Sequence, residues 1–191
     1  WEYLVSKMRR AKYIPQAIIF NAAILENVYS ANKLINLNIT RRIMETNYFS
    51  ILHGLNELTK IIKKKTKIVF IGSSSALKGI GEEGIGYSGS KAAINVAFES
   101  LYQKFGAIYD FKIIHFGPVK TDMVPFNSKI FFMKTPQQAA RTIIKAIGSK
   151  NHIIYDPWEL FLFLRIIKLL PSPIYLLILN LINSFHKNHK K

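Results

Sequence analysis

Four short, near-continuous apolar runs, separated by longer stretches with helical spacing, constrain this chain more than anything else in it. The runs fall at residues 17–21, 67–72, 111–116 and 151–155, and the helical stretches at about 34–63, 87–105 and 136–147. Runs such as Ile68-Val69-Phe70-Ile71 carry no polar alternation, so they suit strands buried on both faces. Strands that alternate with helices are joined by crossovers and run parallel, so the fold class is α/β, a doubly wound parallel sheet. Thr135 followed by Pro136 marks a helix start, because a hydroxyl caps free N–H groups and a proline at the first helical position has none to leave unpaired.

With 191 residues and 49% apolar content the chain has the material for one domain, or most of one. It contains no cysteine, which excludes disulfides, thiolate metal sites and a cysteine nucleophile, and makes a cytoplasmic setting the default. His53, His115, His152, His186 and His189 are scattered without ligand spacing, so no metal is assigned. The formal charge of +16 raises nucleic acid as a partner, but no basic stripe interleaved with aromatics supports it, and none is assigned. Lysine is abundant together with isoleucine and asparagine, a pattern that base composition alone produces. Lys60, Lys63, Lys64 and Lys65 are expected to end the long helix, where cations favour the negative end of the dipole.

The segment Tyr87-Ser88-Gly89-Ser90-Lys91, with Ser73, Ser74 and Ser75 upstream, assembles a phenol, a cation and a hydroxyl. Residues four apart share a helix face, so a helix opening at Tyr87 brings the Lys91 ammonium toward the phenol. A free tyrosine, with a pKa of about 10, is a poor acid or base near neutrality. A neighbouring cation favours phenolate, and a hydroxyl from Ser74 steadies the oxygen or a substrate carbonyl. The spacing alone is weak, since Tyr3/Lys7 and Tyr29/Lys33 repeat it.

A second pattern, Gly79-Ile80-Gly81-Glu82-Glu83-Gly84, matches the dinucleotide fingerprint by letter and fails it by mechanism. A phosphate-binding turn follows its strand directly and leads into a helix N-terminus. Here six residues intervene and two carboxylates would repel phosphate, so the segment reads as a flexible loop.

In this order, strand, hydroxyls, loop, tyrosine and lysine resemble the short-chain dehydrogenase/reductase family in its compact single-domain branch. Further matches carry the resemblance from about residue 16 to 156. Asn21-Ala22-Ala23 resembles the family's Asn-Asn-Ala-Gly segment, with Phe20 and Ala23 as departures. Asn47 matches the helix asparagine of the catalytic tetrad, 40 residues before Tyr87, and Ser74 lies 13 before it. Gly117-Pro118-Val119-Lys120-Thr121-Asp122-Met123 resembles the segment that holds the nicotinamide carboxamide, with Phe116 in place of a usual proline.

The resemblance implies a Rossmann-like fold and an NAD(P)(H)-dependent oxidoreductase acting on a carbonyl/alcohol pair. The cofactor it implies is NADP or NAD, with NADP the first choice. Tyr87 is implied as the acid/base, Lys91 as the residue that lowers its pKa and holds the nicotinamide ribose, Ser74 as the group orienting the substrate oxygen, and Asn47 as the anchor of a proton-relay water. Ser73 competes with Ser74 if the loop is aligned from the strand. Asn21, Ala22, Gly117, Val119 and Thr121, with Tyr87 and Lys91, are the implied cofactor contacts. The family's opening strand, its glycine-rich turn and the next strand find no counterpart before residue 16, so the chain reads as a fragment that binds nicotinamide cofactor weakly or not at all.

Residues 1–156 hold this pattern, and residues 157–191 differ. Residues 160–170 and 174–182 are apolar, broken by Arg165, Lys168, Pro171 and Pro173, and the end is basic through His186, Lys187, Lys190 and Lys191. A spanning helix needs about 20 uninterrupted apolar residues, so two helices lying in a membrane interface fit better than one span. The alternative is a lid over the substrate pocket or a homo-oligomer interface. The apolar segment points to a small hydrophobic carbonyl or alcohol as substrate. The competing functional reading is a catalytically inactive remnant that serves as a membrane-associated interaction module.

Overall fold

The computed structural model describes residues 1–29, 34–77, 79, 84–123, 132–171 and 173–174. Its centre is a four-stranded sheet, β1 (Ala17–Phe20), β2 (Lys67–Ser73), β3 (Asp110–Phe116) and β4 (Ile153–Asp156), in the order β1-β2-β3-β4. All three pairings are parallel, with Phe20 opposite Phe70, Gly72 opposite His115 and His115 opposite Tyr155. The fold is therefore the Rossmann-like parallel sheet that the apolar runs imply.

Helices cover both faces because both faces are apolar. On one side α1 (Glu2–Arg10), α3 (Ser50–Leu58) and α4 (Gly89–Phe105) bury Val5, Leu55, Ile94 and Phe98 against Ile68, Phe70, Phe111 and Ile113. Phe20, Phe70 and Phe111 stack across three neighbouring strands, with centroids 5.6 and 6.2 Å apart. On the other side α5 (Pro136–Gly148) packs Ala139 and Ala146 over Val69, Ile114 and Phe116. The start of α5 is a full capping box: the Gln138 N–H donates to Thr135 Oγ1 at 3.2 Å and the Thr135 N–H to Gln138 Oε1 at 2.8 Å.

The stretch expected as one helix over 34–63 is three pieces. Asn36 caps α2 (Leu37–Met44) by accepting from the Asn38 and Ile39 N–H groups, a π turn occupies Glu45–Phe49, and α3 ends at Leu58. The helix stops there because Ile61 and Ile62 turn in to pack against the core while Lys60 pairs with Glu57. Lys60, Lys63, Lys64 and Lys65 thus all lie past the helix, before β2, and do not form its last turn. A second π turn, Gly84–Ser88, precedes α4. After β4 the chain enters α6 (Trp158–Leu169), whose Phe161 and Ile167 are buried and whose Trp158, Leu162, Ile166 and Leu169 are exposed. The apolar run expected over 174–182 and the basic end lie outside the described residues apart from Ile174, as do Ile80, Gly81, Glu82 and Glu83 of the glycine-rich segment.

Candidate active site

The carboxyl ends of parallel strands are where such sheets gather ligands, and the candidate residues lie there. Asn47 is fully buried inside the first π turn. Its Oδ1 accepts from the Ile24 N–H at 2.8 Å, and its Nδ2 donates to the Ile24 carbonyl at 2.9 Å and to Ser90 Oγ at 3.0 Å. The Ile24 backbone needs one acceptor and one donor, which fixes the orientation of the amide. Ser90 Oγ in turn donates to the Tyr87 carbonyl at 2.7 Å. One chain of hydrogen bonds thus ties the segment after β1 to the turn that carries Tyr87. Asn47 spends its side chain on this tie, so a water held beside it would use the second lone pair of Oδ1 or a backbone carbonyl.

Tyr87 is partly buried in the second π turn, which sits tightly on α2. A Cβ at Gly86 would come within 2.7 Å of Ile43 Cδ1 and 3.0 Å of Val28 Cγ1, so a larger residue there would have to push these side chains aside. Lys91, in the first turn of α4, is buried and donates from Nζ to the Ile71 carbonyl at 2.9 Å. Its ammonium lies 5.6 Å from the centroid of the Tyr87 ring. Burial brings the Lys91 pKa down from 10.5 to about 8, so the group is still a cation at neutral pH. The Tyr3/Lys7 pair shows why context matters: Lys7 Nζ lies 4.7 Å from its ring, but Tyr3 is 69% exposed and the pair faces water. Lys33 of the remaining pair lies outside the described residues.

Of the three serines, Ser73 accepts from the Ser75 N–H at 3.2 Å, and the two hydroxyls pair at 2.7 Å, closing the turn at Ser74–Ala76. Ser74, buried at the head of that turn, stands outside the pair. Beyond β3, the Gly117 N–H donates to the Asp156 carbonyl at 2.8 Å, and Val119 lies opposite Lys134 in a parallel bridge in which the Lys120 N–H donates to the Lys134 carbonyl at 2.8 Å and the Lys134 N–H to the Pro118 carbonyl at 2.9 Å. Lys134 is held in turn by an ion pair with Asp156. Thr121 is exposed, and with Lys120, Asp122 and the start of α5 it lines a cleft of about 350 Å3. Asn21 and Ala22 are exposed at the end of β1.

His115 is a neighbour that sequence reading passed over as an ordinary histidine. It is buried, stacks on Tyr155 with centroids 5.2 Å apart, and has no hydrogen-bond partner for Nδ1. Burial lowers its pKa to about 4, against an opposing contribution from the Ser73 backbone and with the charges of Arg165 and Lys91 adding to it, so the ring is neutral at pH 7. Gly72 makes the ring's place possible, since a Cβ there would lie 2.6 Å from Nδ1. A glycine facing a histidine across β2 and β3 was the signal available in the sequence.

Two other features lie away from this end. A larger concavity of about 460 Å3 sits where the strands begin, lined by Lys65, Lys67, Asp110, Lys112 and His152. Buried Lys112 is satisfied there by Ser149 O at 2.7 Å and Asp110 at 3.2 Å. Glu2, His53 and Glu57 bring donor atoms within 4.8 Å of one another, but Glu57 is already paired with Lys60. Among the described residues no helix is long and apolar enough to cross a membrane.

The parallel sheet covered by helices, with the tyrosine, the buried lysine, the serine hydroxyls and the buried asparagine gathered at its carboxyl edge, has a Rossmann-like fold. The sequence matches the short chain dehydrogenase family over residues 6–129, and the chain belongs to that family. A short chain dehydrogenase from Burkholderia cenocepacia J2315, in complex with NADP, is similar in structure at a TM-score of 0.67 and 21% identity, over 81% of this chain and 66% of that one. The oxidoreductase yciK from E. coli gives 0.69 and 20%, over 81% and 66%. BdcA in complex with NADPH gives 0.66 and 19%, over 82% and 70%. The chain thus spans about two thirds of the length of these structures. No curated protein matches it in sequence.

Proposed function

We propose that this chain carries the acid/base half of an NAD(P)(H)-dependent oxidoreductase, transferring hydride between nicotinamide and a hydrophobic carbonyl/alcohol pair. The observation that carries the reading is the buried Lys91 cation beside Tyr87, held by the Ile71 carbonyl. An ammonium has three N–H donors, and one acceptor accounts for one of them. The remaining two suit the paired hydroxyls of a ribose, and the charge steadies phenolate as Tyr87 gives or takes a proton. Ser74 would orient the substrate oxygen. Asn47 and Ser90 hold the Tyr87 turn against the segment after β1. Gly117, Val119 and Thr121 would face the carboxamide, and Asn21 and Ala22 the ribose side. Bound nicotinamide supplies or accepts the hydride, with NADP preferred because similar structures contain NADP or NADPH. In the full-length protein, Tyr87→Phe removes the proposed acid/base of this set and is expected to abolish reduction of apolar ketones by NADPH.

The second reading is an inactive remnant that serves as a membrane-associated interaction module. Among the described residues no strand leads directly through a glycine-rich turn into a helix, so the pyrophosphate has no cradle there. Calorimetric titration of the 191-residue chain with NADPH separates the halves of the site. The reading of a half-site expects weak or no binding, and micromolar affinity would contradict it.

A further inference from the structure

We propose that α6 is a docking helix that seats this chain on an anionic lipid surface. Trp158, Leu162, Ile166 and Leu169 recur at intervals of four and three, so they share one face of the helix. They are 62, 51, 55 and 85% exposed, with Phe163 beside them at 52%, whereas Phe161 and Ile167 face inward and are buried. A soluble helix carries polar residues on its outward face, and a row of five large apolar side chains there needs a cover.

The charges choose the cover. Arg165 and Lys168 flank one side of the apolar face, and both are exposed. Arg165 is set in place, its Nη2 donating to Tyr155 Oη at 2.7 Å and its guanidinium 4.7 Å from that ring. Glu159 is the single acidic residue of the helix. A second copy of a chain with a formal charge of +16 would bring like charges together around this face. A phosphate-bearing lipid surface takes both parts: the apolar row enters the acyl boundary, and the cations reach the headgroups. Trp158 at the end of the row suits the headgroup level. At 12 residues α6 is about 18 Å long, too short for a core of about 30 Å, so it lies in the plane of the surface. The sequence continues in kind, apolar over 174–182 and basic at Lys187, Lys190 and Lys191.

The inward face of α6 covers the carboxyl ends of the strands. Phe161 lies 6.0 Å from the His115 ring, and Leu160 meets Gly117. Seating α6 on lipid therefore turns the candidate site toward the surface, where an apolar substrate partitions. That consequence rests on the oxidoreductase reading, whereas the docking itself does not.

The test is flotation of the full chain with vesicles of phosphatidylcholine alone or with phosphatidylserine, read as bound protein without any turnover. The chain is expected to float with the anionic vesicles. The W158S/L162S/I166S variant should lose at least about tenfold in partitioning, and Lys168→Gln about fivefold. All four positions are exposed, so far-UV dichroism and urea unfolding should match the parent. A parent chain left in the soluble fraction overturns the proposal, as does a folded triple variant that floats like the parent. A lipid-free dimer that the triple variant dissociates would assign the face to a second copy instead. An inactive chain that floats leaves docking intact and counts only against the oxidoreductase reading.

Discussion

Replacing Lys91 with methionine should change how stability depends on pH. The Lys91 pKa falls from 10.5 in the open to about 8 in the folded chain, through burial. Below about pH 8 both states carry the charge, and the folded state bears a cost of about 3 kcal/mol for holding it away from water. Between about pH 8 and 10.5 the unfolded chain binds the extra proton, so stability rises with pH and recovers that amount. Methionine has similar length and no charge, but it leaves the Ile71 carbonyl without its donor, at about 1–3 kcal/mol. At pH 7 the variant should therefore equal the parent or exceed it by up to about 2 kcal/mol, although a buried contact has been lost. By pH 10.5 it should be the less stable of the two by about 1–3 kcal/mol. Urea unfolding of both chains at a series of pH values reads this directly, since the other titrating groups cancel in the difference. Parallel curves across this range would refute the account of Lys91 as a buried cation.

Asn47→Ala leaves the Ile24 N–H and carbonyl unpaired and should cost about 2–4 kcal/mol in urea unfolding, with Ser90→Ala costing less. Gly72→Ala drives a methyl into the His115 ring and should destabilise by about 1–3 kcal/mol, and Gly72→Ala combined with His115→Ala should recover part of the loss. Thr135→Ala removes one half of the capping box and should lower stability by about 1 kcal/mol.

Strand positions and the start of α5 were legible because each is written locally, as an apolar run or as a cap beside a proline. The π turns were not. Asn47 and Tyr87 both sit in such turns, and a pattern read at 3.6 residues per turn passes over one extra residue. The helix end at Leu58 was also hidden, because lysines look alike in a last turn and in the loop after it. Nothing in the sequence singles out Ser90, and only the packing of α4 on the Asn47 turn reveals its two hydrogen bonds. His115 escaped notice because its significance depends on the strand register that sets it opposite Gly72. The family pattern remained readable because it combines several local signals in a fixed order, and so tolerates 21% identity to a similar fold.

The most direct measurement is turnover of NADPH with apolar ketones by the full-length protein, comparing the parent, Tyr87→Phe and Ser74→Ala, each checked for unchanged unfolding. The account predicts that Tyr87→Phe loses at least about a thousandfold in kcat with its fold intact, as removal of a positioned proton donor does. A Tyr87→Phe variant that turns over at the parent rate would contradict it.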